Sequence, residues 1–268
     1  MKVLVLVPVN NSFYSLAVLE RCKNDPEIEL LGVLQRKILC PKRIKTELKR
    51  DGIRLLKKVW LKFFCGDKVS TSPNGMTLPK LNTELNITTR SVRRWAATSK
   101  IERKVVANYN EEKALRFIKK LKPDMVIFTG GGLIRSEFLD NSGLGVLNIH
   151  LGILPEYRGM DVIEWPILIE NSLENIGMTG HLMNKGLDTG PILMSEKIPV
   201  LPGDTLESIR DRVGPQQVDL IFKCIKGIDD QSLTPNPQSI SDGRQYYIMH
   251  PLVKKVAREK LAELLDHG

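Results

Sequence analysis

The chain has 268 residues, of which 42% are hydrophobic and 26% charged, and its formal net charge at pH 7 is +9. That length suits one large domain, or one domain with a small appendage, and the mixture of apolar runs with Gly/Pro turns excludes a disordered or collagen-like chain. The opening apolar run, 1–8, is too short to cross a bilayer or to form a signal core, and no other stretch reaches spanning length, so a cytoplasmic protein is expected.

In chain order, residues 2–8 read as a buried strand, and Asn10, Asn11 and Ser12 start a helix that runs to about 23. A second strand follows at 28–34. Between Arg36 and Lys62 eleven basic residues stand against Glu47 and Asp51, so this one segment carries the whole excess charge. Ile44, Leu48, Leu55, Val59 and Phe63 recur there at near-helical spacing. A basic amphipathic stretch of this kind, 41–64, suits a membrane surface or an anionic partner. A solvated helix whose apolar stripe covers a sheet edge is the favoured alternative, because Gly52 breaks the pattern. Residues 69–86, rich in Ser, Thr, Pro and Asn, read as a long loop.

The second half reads as a strand at 104–107, a helix at 111–121, and a strand at 124–128 ending in Thr129, Gly130, Gly131 and Gly132. A strand at 145–149, a helix at 165–171, and two strands at 177–183 and 192–199 come next. A helix at 204–227, with Asp204 as its N-cap, and a closing amphipathic helix at 252–265 complete the chain. No internal repeat is present. This alternation predicts an α/β fold, a mostly parallel open sheet with helices on both faces, plus a helical C-terminal tail. Residues 1–230 are expected to form the core domain, with a basic insertion at 36–100, and 231–268 the tail. Cys22, Cys40, Cys65 and Cys224 form no CxxC pair, which argues against a zinc site or a disulfide framework.

The strongest local signal lies at the strand 145–149, which is apolar apart from Asn148 and ends where His150 begins a loop. In open α/β sheets ligands bind beyond the carboxyl ends of the strands. Asn148 and His150 are two apart and leave an extended segment on the same face. Asp188 sits in a second loop, Gly186-Leu187-Asp188-Thr189-Gly190. Singly these signals are weak, since a lone histidine at a strand end often only satisfies backbone groups and Asp-Thr-Gly is a turn-forming string. Together, N-x-H-x-x-x-L-P-x-Y-R-G followed by G-x-D-x-G is a specific pattern. No GxGxxG follows the first strand, which disfavours a dinucleotide site.

That pattern resembles the catalytic core of the folate-dependent formyltransferases, well over residues 100–225 and more weakly over the first strand, loop and helix. The resemblance implies transfer of a formyl group from 10-formyltetrahydrofolate to a primary amine, with no metal. It gives Asn148, His150 and Asp188 the catalytic roles. The Asn148 amide and a His150 imidazolium would hold the oxygen of the tetrahedral adduct, where one such donor is typically worth about 100- to 1000-fold in rate. Asp188 would stabilise the imidazolium and relay the amine proton, directly or through a water. The folate is implied to lie against Gly132, Leu133 and Ile134 and against Met183, Asn184, Lys185, Gly186 and Leu187, where bare glycines let backbone approach a flat heterocycle. Candidate acceptor contacts are Asn11 and Ser12 at a helix start, Tyr157, and Arg158. The last would serve either as a bidentate phosphate partner or as a structural ion pair anchoring its loop. The Leu154–Pro155 bond matches a site that is cis in relatives.

The chain also departs from the family pattern. Gly152 stands where relatives often have Ser, and the loop after the first strand lacks the glycines of the glycinamide ribonucleotide branch. Only 80 residues follow Asp188, so the C-terminal β-barrel of methionyl-tRNA formyltransferases is not expected. A nucleotide-linked amino sugar is then the expected acceptor. Two alternatives stay open. One is attack by water, as in formyltetrahydrofolate hydrolases, whose N-terminal regulatory domain is not expected here. The other is a methionyl-tRNA formyltransferase-like or other RNA-directed protein using 36–62, whose binding would weaken steeply with salt. The oligomeric state is not legible.

Overall fold

The first strand shows why a parallel sheet forms. β1 (Lys2–Val7) is apolar at every position after Lys2, so both of its faces need cover. Val3, Val5 and Val7 enter one core, while Leu4 and Leu6 enter the other. A computed structural model describes residues 1–37 and 76–266. Its main sheet adds β2 (Glu29–Arg36), β3 (Arg103–Val106), β4 (Met125–Phe128), β5 (Val146–His150), β7 (Gly177–Leu182) and β8 (Ile192–Lys197), in the order β3-β2-β1-β4-β5-β7-β8. The first five strands in that order run parallel, and β7 and β8 close one edge antiparallel. The expected mostly parallel α/β sheet is what forms.

The larger core faces α1 (Phe13–Asn24), α2 (Leu78–Glu84), α3 (Val92–Thr98), α6 (Glu164–Glu170) and α7 (Leu206–Asp229). The smaller is covered by α4 (Glu112–Leu121) and α5 (Ser136–Leu139). Ser12 starts α1 as its N-cap, with its hydroxyl accepting from Ser15 N at 3.1 Å. Two expectations are corrected. The described part of the loop expected at 69–86 contains α2, because Leu78, Leu81 and Leu85 pack against the larger core. The cap of α7 is Thr205, which forms a capping box with Ser208. The carboxylate of Asp204 is instead held by Arg212, at 2.5 Å from each of two guanidinium nitrogens. Helix α3 falls where no element is expected, since seven residues give too little periodicity to read. Of the basic segment 36–62, all but Arg36 and Lys37 lie outside the described residues, as do Cys40 and Cys65.

The tail packs onto the body through α8 (Pro251–Asp266), whose Leu261 enters the larger core. A second, two-stranded sheet pairs β6 (Tyr157–Gly159) in parallel with β9 (Arg244–Tyr246). Beneath α8, the carboxylate of Glu164, 1% exposed, meets Arg210 at 2.6 Å and Lys254 at 2.9 Å. No described helix is long and apolar enough to cross a membrane.

Candidate active site

The candidate residues gather at the carboxyl end of β5. Asn148 and His150 leave this strand, and Asp188 arrives from the loop between β7 and β8, a non-glycine residue with φ of 52°. Asp188 Oδ2 lies 3.5 Å from His150 Nδ1 and accepts a hydrogen bond from Gly159 N at 2.9 Å. His150 is 7% exposed, and its Nε2 lies 2.7 Å from the Tyr157 carbonyl oxygen. A carbonyl can only accept, so Nε2 carries the proton. The nitrogen left to meet a reacting group is therefore Nδ1, on the Asp188 side. Gly152 fits this arrangement, since a Cβ there would stand 2.9 Å from His150 Nε2 and 2.7 Å from the Tyr157 oxygen.

A residue that the motif does not mark completes the group. His181, on β7 opposite Asn148 in the antiparallel register, is 1% exposed and has Nε2 3.0 Å from the Asn148 amide and 3.7 Å from Asp188 Oδ1. Burial above all pushes its pKa down, to about 4. Asp188 and a weak backbone contact with Leu182 work against that shift, and His150 adds to it. In the sequence this histidine sits inside the run Gly177–Leu182, where it reads as a core residue. Only the strand register, which places position 181 opposite 148, reveals it.

The glycine loop after β4 is built for close approach. Gly130, Gly131 and Gly132 have φ of 117°, 125° and 106°, conformations that side chains rarely adopt. A Cβ on Gly131 would stand 2.5 Å from Tyr109 Oη, and one on Gly132 would stand 2.9 Å from an Arg36 guanidinium nitrogen. Beside the loop opens a cavity of about 440 Å³, lined by Gly131 and Gly132 with Arg36, Asn108, Tyr109, Asn110 and Arg135. Leu133 is 76% exposed, while Ile134 is buried in the smaller core. On the other side of β5, the loop carrying Lys185, Gly186 and Leu187 is shaped by Asn184, whose Oδ1 accepts from Gly186 N at 2.9 Å and Thr189 Oγ1 at 2.8 Å. Among the described residues no group of His, Cys, Asp and Glu is placed to hold a metal ion.

Arg158, Tyr157 and the Ser12 hydroxyl are otherwise engaged. Arg158 is 3% exposed, and its guanidinium donates to Gln238 Oε1 at 2.9 Å, the Ser239 carbonyl at 2.7 Å and the Ile240 carbonyl at 3.0 Å. It is thus an anchor for the tail, with its donors already occupied, rather than a phosphate fork. Tyr157 is buried, donates to Glu170 and stacks on Tyr246 at 5.3 Å; burial and the Glu170 carboxylate push its phenol well above the ordinary range, so it stays protonated. The Ser12 hydroxyl caps α1, and Asn11 is exposed at the same helix start. Leu154–Pro155 is cis.

Comparison with known proteins bears on the family and the fold. A methionyl-tRNA formyltransferase of Pelobacter propionicus is 32% identical over 139 residues, which take in 52% of this chain and 42% of that protein, so the chain spans well under half of the curated relative's length. Two solved structures share the fold. A phosphoribosylglycinamide formyltransferase of Anaplasma phagocytophilum superposes with a TM-score of 0.57 at 17% identity, covering 93% of this chain and 99% of that one. An N-formyltransferase of Helicobacter canadensis, solved with folinic acid and dTDP-3-aminofucose, gives 0.53 at 16% identity, covering 92% and 71%. The formyl transferase family model matches residues 1–225, which hold the whole seven-stranded sheet and the Asn148, His150 and Asp188 cluster, and the chain belongs to that family.

Proposed function

We propose that the protein moves a formyl group from 10-formyltetrahydrofolate to a primary amine, with a nucleotide-linked amino sugar as the acceptor. The observation that carries this reading is the meeting of Asn148, His150 and Asp188 at the carboxyl end of β5, with His150 Nδ1 3.5 Å from Asp188. In this reading the amine nitrogen bonds to the formyl carbon, the bond from that carbon to the folate nitrogen breaks with its electron pair going to that nitrogen, and the proton lost by the amine is passed on to the departing folate nitrogen. The Asn148 amide and His150 Nδ1–H donate to the oxygen on which charge develops. Asp188, held by Gly159 N and facing His150, stabilises the imidazolium and takes the amine proton. The folate would rest against the glycine loop, Leu133 and Ile134 on one side and Lys185, Gly186 and Leu187 on the other. Asn11 and Ser12 at the start of α1 would face acceptor phosphate through backbone N–H groups.

The acceptor class rests on the resemblance traced in the sequence. The similarity to a methionyl-tRNA formyltransferase favours a second acceptor, the aminoacyl end of a tRNA. Both readings are tested in one assay, in which 10-formyltetrahydrofolate consumption is followed by absorbance with nucleotide-linked amino sugars, methionyl-tRNA, or no amine. Turnover with an amino sugar supports the proposal, and turnover with tRNA alone replaces the acceptor. Equal folate loss without any amine makes the protein a hydrolase, and loss of no formyl group under any condition contradicts the reading.

A further inference from the structure

The proposed chemistry leaves His181 without a task, and any part it plays in catalysis rests on that reading of the site. An Asn amide contributes to oxyanion stabilisation only if its NH2 end faces the reacting oxygen. Its nitrogen and oxygen exchange places by a rotation of 180° about the last side-chain bond, so one heavy-atom position admits two chemical arrangements. The partner that decides between them here is His181 Nε2, 3.0 Å from Asn148 Nδ2 as the amide stands; turned over, the amide would put Oδ1 there and Nε2 would have to donate rather than accept.

The surroundings of the ring discriminate between its neutral forms. Nδ1 is buried and makes no hydrogen bond of good geometry among the described residues. A proton on Nδ1 would meet at best the weak Leu182 backbone contact, and would turn the Nε2 lone pair towards Asp188 Oδ1, 3.7 Å away. A proton on Nε2 meets the Asn148 oxygen and leans towards the same carboxylate, leaving only a lone pair unmatched at Nδ1. Unmatched buried acceptors are better tolerated than unmatched donors. We propose that His181 is a positioning residue: as a neutral Nε2–H donor it holds Asn148 Oδ1, so that the amide NH2 faces the open side of the site. The titratable groups around the ring are Asp188 and His150, the latter edge-on at 6.4 Å between centroids. Burial, reinforced by His150, keeps the ring uncharged down to about pH 4. With the ring removed, the amide is free to turn its oxygen towards the developing negative charge, which opposes the reaction.

The first test reads the wild-type protein. Long-range ¹H–¹⁵N correlation on the uniformly labelled full chain at pH 7 assigns the ring proton of His181. The expected result is the Nε2–H form, and an Nδ1–H or doubly protonated ring overturns the proposal whether or not formyl transfer is observed. The second test is kinetic. The side-chain nitrogen of Gln reaches the place of a histidine Nε2, whereas that of Asn stands at the place of Nδ1. His181→Gln should keep kcat within a few-fold, while His181→Asn should lower kcat by about 100-fold, the size of one lost oxyanion donor, with the KM for the folate unchanged. In an Asn148→Ala background the difference between Gln and Asn at 181 should vanish. Equal kcat values for the two variants, or a difference that survives Asn148→Ala, would show that the ring does not act through the amide. Absence of formyl transfer in every protein would overturn the proposed function and the kinetic arm, while the ring-proton assignment would still decide the Asn148 orientation.

Discussion

In the proposed mechanism the contact between Asn148 and His181 links catalysis to stability. In that mechanism Asn148→Ala removes a donor to the reacting oxygen and should lower kcat by about 100- to 1000-fold with little change in KM; steady-state formyl transfer checks this, and a rise in KM with kcat unchanged would make the residue a binding group. His181 makes a prediction about folding. Its pKa is lowered from 6.5 to about 4 in the folded chain, chiefly by burial. As pH drops below about 6.5 the unfolded chain takes up a proton that the folded chain refuses until about 4, so the unfolded state binds more protons in that window. The contribution is complete above 6.5 and is lost as pH falls towards 4. Denaturant titrations of wild type and His181→Gln between pH 7 and 4 should therefore converge or cross at the acid end, whereas parallel curves would mean that the ring titrates normally. At this scale the motif residues are legible because Asn, His and Asp interrupt apolar strands and turn strings. His181 is not, because its partner becomes visible only through the antiparallel register. Arg158 reads equally well as a phosphate fork or an anchor, and only its contacts with Gln238, Ser239 and Ile240 show it as the anchor.

In the proposed function the glycine loop is the element on which the folate site depends. Gly131 combines φ of 125° with Tyr109 Oη at 2.5 Å from any added Cβ, so Gly131→Ala must distort the backbone as well as meet the phenol. A side chain in such a conformation costs about 1–2 kcal/mol, which corresponds to a fall in Tm of about 2–4 °C per kcal/mol for a domain of this size. The variant should also bind folate more weakly, as read by fluorescence titration; wild-type affinity and melting would show that the loop neither touches the ligand nor carries strain. Long elements with a strong pattern, such as α1, α7 and the strands of the main sheet, are legible within a few residues. Helix α2 is not, because its Ser-, Thr- and Pro-rich surroundings read as a loop while three leucines supply the packing. The cap of α7 shifts from Asp204 to Thr205 for a related reason. Arg212, eight residues further on, claims the carboxylate, a contact that local capping rules do not contain.

Taken as a whole, the tail at 231–268 is read from the sequence as an appendage, while its contacts tie it to the loop that leaves the site. Tyr157 stacks on Tyr246, Arg158 binds 238–240, and Gln238 Nε2 donates to the Asp188 carbonyl at 3.2 Å. Arg158→Ala should therefore speed amide hydrogen exchange across 236–250 more than in the main sheet, and should raise the mobility of Asp188 with it; unchanged exchange there would mean that the tail is held without the arginine.

At the centre of the proposed mechanism, the Asp188 carboxylate takes part in chemistry rather than in folding. Asn tolerates the left-handed conformation found at this position, so Asp188→Asn changes the charge with little demand on the backbone. Single-turnover transfer from a preformed folate complex, with amine in excess, measures the chemical step directly. The variant should bind folate within a few-fold of wild type and transfer the formyl group about 100- to 10,000-fold more slowly. Transfer within about ten-fold of wild type, less than general acid–base catalysis typically contributes, would contradict that role.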